Sequence, residues 1–496
     1  MVRGIARLLL CVGVASCNGN EPSGDAGDGA GTAAATAGSS DDADGDSDGD
    51  GDGDGGAGGE VLGCPAGSEC TLLLVSQTLD DRVEIFSPDE ANAYRGAIDL
   101  DLKPNACEGC GLGDYDDGRL DEPFGIARAG GFVHVAVGHY PTRESGSMLS
   151  FPLSMFEASA VSSTLSVADY FSDDAFSSPV VANGLGELEP IFMTRVGSRL
   201  LLSTFNNDLL LGEDTWTGIG KLLVLDADDP AGVPGEIDLA AAGCAAAAKI
   251  IDLGDSKLAV ACDGNEQVVL LDVPDLQTAS LADVGNSATS MACPIPGTTM
   301  ERRVRYLGSD GAGGFLVAEG PTPLTLTSGS RLWHFDGACQ MQGLATLSGS
   351  GQLGEVVPFP ADVPTWLVAA GGVLDPASRG VLVVQSSGGA LEVCQTLPGF
   401  DAHWATDDGE LEPFSLAVNA AGTRVAVGAS PFQAPSDGPG YGKVLWGEIA
   451  GSDDPCTMTA TVTDLTDGAA APAVDPMDPS TFRRGPNVVE LVEING

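Results

Sequence analysis

Basic side chains are scarce in this chain. Among 496 residues there are 22 Lys and Arg against 71 Asp and Glu, and the formal net charge is −49. Such a surface repels nucleic acid phosphate and anionic lipid headgroups, so neither is an expected partner. It suits a soluble protein that meets cations or basic ligands, and it also serves solubility alone. Histidine is scarcer still, with four in the whole chain. Gly-x-Ser-x-Gly occurs only at Gly45–Gly49, inside a run of Asp and Gly with no apolar strand before it to make an elbow, and there is no Walker loop and no His-Glu-x-x-His pair, so the usual sequence signs of a hydrolase, an NTPase or a zinc protease are missing. Helical periodicity is rare. No segment is apolar for long enough to make a transmembrane helix.

The N-terminus reads "MVRGIARLLLCVGVASC". Arg3 and Arg7 form a positive head, and Leu8 to Ala15 is an apolar run too short to span a bilayer. The run ends in Val14-Ala15-Ser16-Cys17, which resembles the lipobox of bacterial lipoproteins. The resemblance implies cleavage before Cys17 and acylation of that cysteine. The alternative is an ordinary secretory signal. Asn18 follows where an inner-membrane lipoprotein has Asp, which by the same resemblance points to the outer membrane. The expected arrangement is a signal peptide over 1–16, a lipidated tether over 17–62 and a folded domain over 63–496. The protein is expected to be extracytoplasmic, monomeric and attached to a membrane through the anchor alone.

The tether is rich in Asp, Gly and Ala. It has no aromatic residue, cannot bury a core, and its acids repel one another, so it is expected to be extended and disordered. Asp44-Gly-Asp46-Ser-Asp48-Gly49 looks like the start of a calcium loop. The twelfth position, where an EF-hand needs Glu, is Gly55. Removal of Cys11 and lipidation of Cys17 leave ten cysteines. An even number in an exported chain favours disulfides. Cys64–Cys70 and Cys244–Cys262 are the best local pairs. Cys107 and Cys110 read as a structural disulfide, a redox pair or half a zinc site, with the disulfide preferred because no second pair or nearby histidines support the others.

From about residue 71, short β-branched runs alternate with Gly, Asp and Pro turns, the pattern of an all-β chain. Three stretches repeat closely. Each has Glu-Pro and then four runs: "PFGIARA", "FVHVAVG", "SMLSFPL" and "STLSVAD" after Glu122; "PIFMTRV", "RLLLSTF", "KLLVLDA" and "GEIDLAA" after Glu189; "PFSLAVN", "TRVAVGAS", "KVLWGEI" and "CTMTATVTDL" after Glu412. Weaker copies start near Ala248, Arg302 and Val363. A first copy from Thr71 lacks its opening strand, and "GPNVVELVEI" from Gly485 supplies it at the far end. A final strand that completes the first repeat closes a ring of blades and removes exposed sheet edges. The expected fold is a β-propeller of seven four-stranded blades. "SKLAVACDGNEQVVLLDV" resembles the blade phrase of the YVTN-repeat and lactonase-type propellers, and the resemblance implies the same architecture over about residues 64–496.

Proline lacks an amide proton and is tolerated only at edge or first positions of a strand. Pro123, Pro190 and Pro413 are therefore expected to open the innermost strands. In a meander the loop between the second and third strands returns to that same face. In the same three repeats this loop is long and carries His139, Tyr140, Trp216, Phe432 and Tyr441, an expected binding rim. Glu122, Glu189 and Glu412 are expected at that mouth, either as turn-capping joints or as a site for a hard cation such as Ca2+. The gluconolactonase family places a metal-binding Glu at a blade-strand start, in a Glu-Gly-Pro phrase. This chain lacks that Gly, and the family's other ligands have no clear match here. Two functions follow as expectations. The first is a lipid-anchored binding or scaffold module for a protein or small-molecule ligand. The second is a metal-dependent lactonase-type hydrolase. No catalytic residue is assigned.

Overall fold

The computed structural model describes residues 70–77, 82–90, 93–100, 120–140, 146–156, 164–166, 181–185, 190–204, 220–297, 302–321, 329–372, 375–406, 409–431, 442–451, 453–467 and 486–494. These residues form seven antiparallel sheets in a ring, a seven-bladed β-propeller. From the centre outward, blade 2 is Leu120–Ala129, Phe132–Tyr140, Ser147–Pro152 and Val181–Gly184. Blade 3 is Pro190–Val196, Arg199–Thr204, Lys221–Asp226 and Gly235–Asp238. Blade 4 runs from Ala247–Gly254 to Thr289–Pro294, blade 5 from Arg302–Ser309 to Met341–Leu347, and blade 6 from Leu353–Phe359 to Ala390–Thr396. Blade 7 runs from Gly409–Val418 to Thr459–Asp464, with Ala405–Thr406 paired to the start of its inner strand.

Blade 1 closes the ring. Its second, third and fourth strands are Cys70–Gln77, Arg82–Phe86 and Tyr94–Asp99. Its innermost strand is the C-terminal Pro486–Ile494, antiparallel to Cys70–Gln77 and in register from Cys70↔Ile494 to Gln77↔Pro486. Each inner strand touches the next around the ring, including the C-terminal strand with those of blades 7 and 2.

Burial follows from the stacking of blades. The second strands Arg199–Thr204 and Thr365–Ala370 are buried at every position, because each has a blade packed on both faces. This is why they read as continuous apolar runs rather than alternating ones. The outermost strand Thr459–Asp464 alternates exposed and half-buried, as a one-sided edge must. The cores lie between blades. Leu72, Ile85, Val135 and Phe151 fill the gap between blades 1 and 2, and Val75, Phe86, Trp446 and Val489 that between blades 1 and 7. Leu201, Val224, Ile250 and Val260 fill the gap between blades 3 and 4.

Two expectations are corrected here. "STLSVAD" is not the outer strand of blade 2. Thr164–Ser166 crosses over and adds a parallel fifth strand to the edge of blade 1, while Val181–Gly184 completes blade 2. Blade 6 does not start near Val363. Its inner strand is Leu353–Phe359, and the run after Val363 is the second strand.

Cys244–Cys262 is a disulfide, as the spacing suggests. Cys293–Cys339 staples blade 4 to blade 5, and Cys394–Cys456 staples blade 6 to blade 7. Cys70 is also disulfide-bonded. Cys64, Cys107 and Cys110 lie outside the described residues, as do the signal peptide, Cys17 and the tether.

Candidate ligand site in the central channel

Every inner strand carries an irregularity in its first half or at its middle, and that of blade 4 has a second between Asp252 and Gly254. Pro123 pairs with Val137 and Gly125 with Ala136, so Phe124 is an extra residue. In the same way Phe414 is extra in blade 7, Arg305 in blade 5 and Asn487 in blade 1. The inner strands of blades 3, 4 and 6 each slip by one residue near Phe192, Lys249 and Glu355. A bulge bends a strand and re-aims a side chain. These seven bulges therefore decide what enters the channel. The Pro of the Glu-Pro phrase belongs to this device. Pro190 and Pro486 open their strands as expected, but Pro123 and Pro413 lie inside strands that begin at Leu120 and Gly409, directly before the extra residue. The inner strands also pack without room for a Cβ. One at Gly125 would stand 2.7 Å from the Ile191 carbonyl oxygen, and one at Gly354 would collide with that of Phe414.

Side chains from alternate blades meet at the bulges, which is possible only across the channel. Tyr306 of blade 5 lies edge-on to Phe192 of blade 3 and to Phe414 of blade 7, with both ring centroids 5.8 Å away. Lys249 Nζ of blade 4 lies 2.6 Å from Glu355 Oε1 of blade 6 and 5.8 Å from the Phe192 ring centre. Burial pushes the Tyr306 phenol far up, so it stays protonated. These chords bridge the channel.

Beyond them is a cavity of about 330 Å³. Phe192, Lys249 and Glu355 line its inner end. Its walls are residues 125–128, 192–195, 416–418 and 488–491, which follow the bulges along their strands. The cavity therefore faces the end where inner strands leave the channel, opposite the Glu-Pro end. Arg128 and Arg195 stand on its wall, Arg195 exposed. Glu490 of the closing strand is half-buried and lines the cavity. Burial pushes its carboxyl up to about 7, opposed by Lys249 and by the Arg128 amide that donates to it.

The site expected from the Glu-Pro phrases lies at the other end. Glu412 is there, buried. Its Oε2 accepts from the Gly372 amide at 2.5 Å, and its Oε1 is 3.2 Å from Arg379 Nη2. Both partners belong to the loop between the second and third strands of blade 6, so that loop and the strand start do share a face. Glu122 is paired through its backbone with Gly138, Asp121 with His139 and Leu120 with Tyr140. Glu189, Trp216, Phe432 and Tyr441 lie outside the described residues. Arg303 and Arg305 of the blade 5 inner strand are half-buried around the buried Asp263. Asp263 accepts from Arg305 at 2.7 and 3.1 Å, with Arg303 at 3.8 Å. Among the described residues no group of three His, Cys, Asp or Glu is arranged to hold a metal ion.

The sequence reading missed Lys249, Glu355 and Glu490. The weaker repeats hid the first two strands. The Glu490 signal was available, as an acid flanked on both sides by apolar residues in "VVELV".

Two histidines have partners that sequence did not show. His134 Nδ1 is 2.8 Å from Ser150 Oγ and Nε2 is 3.2 Å from the Ala129 carbonyl. Burial lowers its pKa to about 4, against the backbone bonds. His334 lies between Ser386 Oγ at 2.8 Å and Asp310 Oδ2 at 3.2 Å. That is the order of a hydrolytic triad. His334 is 6% exposed and its ring is edge-on to Trp366 at 5.1 Å, while Ser386 is half-buried. It joins blade 5 to blade 6.

No family model and no curated protein matches this sequence. Solved structures do match. The periplasmic gluconolactonase PpgL of Pseudomonas aeruginosa is 13% identical with a TM-score of 0.46, over 86% of this chain and 99% of that one. A protein from Lactobacillus plantarum is 11% identical with a TM-score of 0.44, over 86% and 100%. Apo AztD from Citrobacter koseri is 11% identical with a TM-score of 0.40, over 86% and 98%. At these identities the likeness is one of fold. The seven sheets in a ring themselves define the class, a seven-bladed β-propeller whose channel is bridged at the level of its bulges.

Proposed function

We propose that this chain is a lipid-anchored extracytoplasmic propeller that binds a ligand, held off the outer membrane by Cys17 and the tether of residues 17–62. The observation that carries the binding reading is the channel. Chords from Lys249 to Glu355 and from Phe192 through Tyr306 to Phe414 make it a recess with a floor. The cavity of about 330 Å³ beyond them lies within the range of small-molecule sites, roughly 300–1,000 Å³. The disulfides suit an oxidising compartment. Calcium at Glu122, Glu189 and Glu412 belongs to the same proposal as a second site, at the opposite mouth.

The test is a thermal melt of residues 63–496 against a small-molecule panel of anionic, cationic and neutral compounds. A ligand of the channel raises the melting temperature of the wild type and not of Thr194→Trp, which fills the cavity from its half-buried wall. Equal shifts in both proteins would remove the channel from the function. Turnover of a lactone panel would replace binding with hydrolysis. Palmitate labelling that survives Cys17→Ser would remove the anchor.

A further inference from the structure

The cavity departs from the charge of the chain around it. Its lining carries three cations, Arg128, Arg195 and Lys249, and two carboxylates, Glu355 and Glu490. The whole chain has 22 basic side chains against 71 acidic ones. The excess is not a run on one strand, since blades 2, 3 and 4 contribute one cation each. Lys249 has three N–H donors, and Glu355 engages the ammonium at 2.6 Å. Glu490 has the Arg128 amide as donor and shares Lys249 electrostatically with Glu355. One ammonium thus serves two carboxylates, and like charges in a confined space favour protonation of one. The protonated carboxyl is an O–H donor. Lys249, Arg128 and the Glu490 hydroxyl are then three donors around one recess, the complement of a carboxylate's acceptor sites. With Glu490 protonated, an organic cation in the same space would meet three positive charges against the single carboxylate of Glu355.

We propose that the channel cavity is a site for a small organic carboxylate, seated on Lys249 and Arg128 and taken up together with one proton held by Glu490. This rests on the binding reading above and names its ligand class. No covalent bond changes. The proton comes from solvent, the ligand stays anionic, and the Glu490 hydroxyl donates to it. The charged groups that share the cavity with Glu490 are Arg128 from blade 2, Arg195 from blade 3, Lys249 from blade 4 and Glu355 from blade 6. Blade 7 offers only Leu416, Ala417 and Val418, and blade 5 stands at the chords with Tyr306.

The test is calorimetric titration of the full mature chain in detergent with acetate, lactate and succinate. Methylammonium and glycerol are the cationic and neutral probes. A carboxylate binds with an affinity that is flat below about pH 7 and weakens about tenfold per pH unit above it. Above about pH 7, where Glu490 of the free chain is ionised, buffers of different ionisation enthalpy report uptake approaching one proton per ligand, and below it none. Glu490→Gln, whose amide is a donor at every pH, gives an affinity that no longer varies with pH. The pair Lys249→Gln with Glu355→Gln, which leaves no stranded charge, loses about tenfold or more in affinity. Preferential binding of methylammonium, or carboxylate binding with no pH slope in the wild type, overturns the proposal. Binding of glycerol alone overturns the carboxylate class and leaves the binding reading standing. Binding of no probe by a chain that melts cooperatively overturns both.

Discussion

Lys249 and Glu355 meet at 2.6 Å although a whole blade separates their strands around the ring. The contact is a chord of the channel, and it ties blade 4 to blade 6 without passing through blade 5. The Glu355 side chain is 7% exposed and that of Lys249 22%. A buried pair of this kind contributes little net stability beside an apolar replacement, but removing one partner strands the other.

Lys249→Met is therefore expected to destabilise the domain by about 2–4 kcal/mol, and Lys249→Met with Glu355→Leu by about 1 kcal/mol or less. Urea unfolding of the two singles and the double measures this. Equal losses in single and double variants would show that the chord is not an energetic unit.

Deleting residues 485–496 removes the inner strand of blade 1. Val489 and Val492 are buried on it, each worth about 1.5–3 kcal/mol. The deletion also bares the edge of Cys70–Gln77 and the core against blade 7. The contact that closes the ring is the least local in the fold. Loss of a single cooperative unfolding transition is expected, read by circular dichroism and fluorescence together. A truncated chain that melts like the whole one would show that the ring does not need this closure.

Two groups give stability opposite slopes with pH. Glu490, raised from 4.5 to about 7 in the fold, is protonated in the folded chain and ionised in the unfolded one between those values, so stability falls as pH rises through that window. His134, lowered from 6.5 to about 4, stays neutral while the unfolded chain takes a proton, so stability falls as pH drops from about 6.5 to 4. At pH 8 Glu490→Gln is expected to stabilise by on the order of 1–2 kcal/mol, discounted for the channel water, and at pH 4 to change little. His134→Gln is expected to flatten the acid limb. Denaturant midpoints between about pH 4 and 8 test both signs.

The Glu-Pro carboxylates are tested by calcium. A bound ion stabilises by mass action, by about 2.7 kcal/mol at a hundred times its dissociation constant. The melting temperature of residues 63–496 is expected to move between calcium and chelator in the wild type and to stay fixed when Glu122, Glu189 and Glu412 are all changed to Gln. The same response in both proteins would make the three carboxylates joints of the fold, the role in which Arg379 and Gly372 hold Glu412.

The chain's own order of apolar runs determined much of this molecule. Blade number, the closing role of Pro486–Ile494 and the Cys244–Cys262 pair were all legible, because each depends on local alternation, turn residues or short spacing. The repeated Glu-Pro phrase was legible as a mark on the inner strands. What it marks was not. Phe124 and Phe414 become extra residues only by pairing against Val137–Ala136 and Ala429–Gly428, and register is a property of two strands together. The outer strand of blade 2 was misplaced for a related reason. "TLS" has strand character anywhere, and only the open edge of Tyr94–Asp99 decides where it pairs. The channel lay furthest from reach. Lys249, Glu355 and Glu490 are separated by 106 and 135 residues in the chain, on weak repeats and a terminal strand. Ring closure alone brings them to one axis, where the low-dielectric walls make their charges interact.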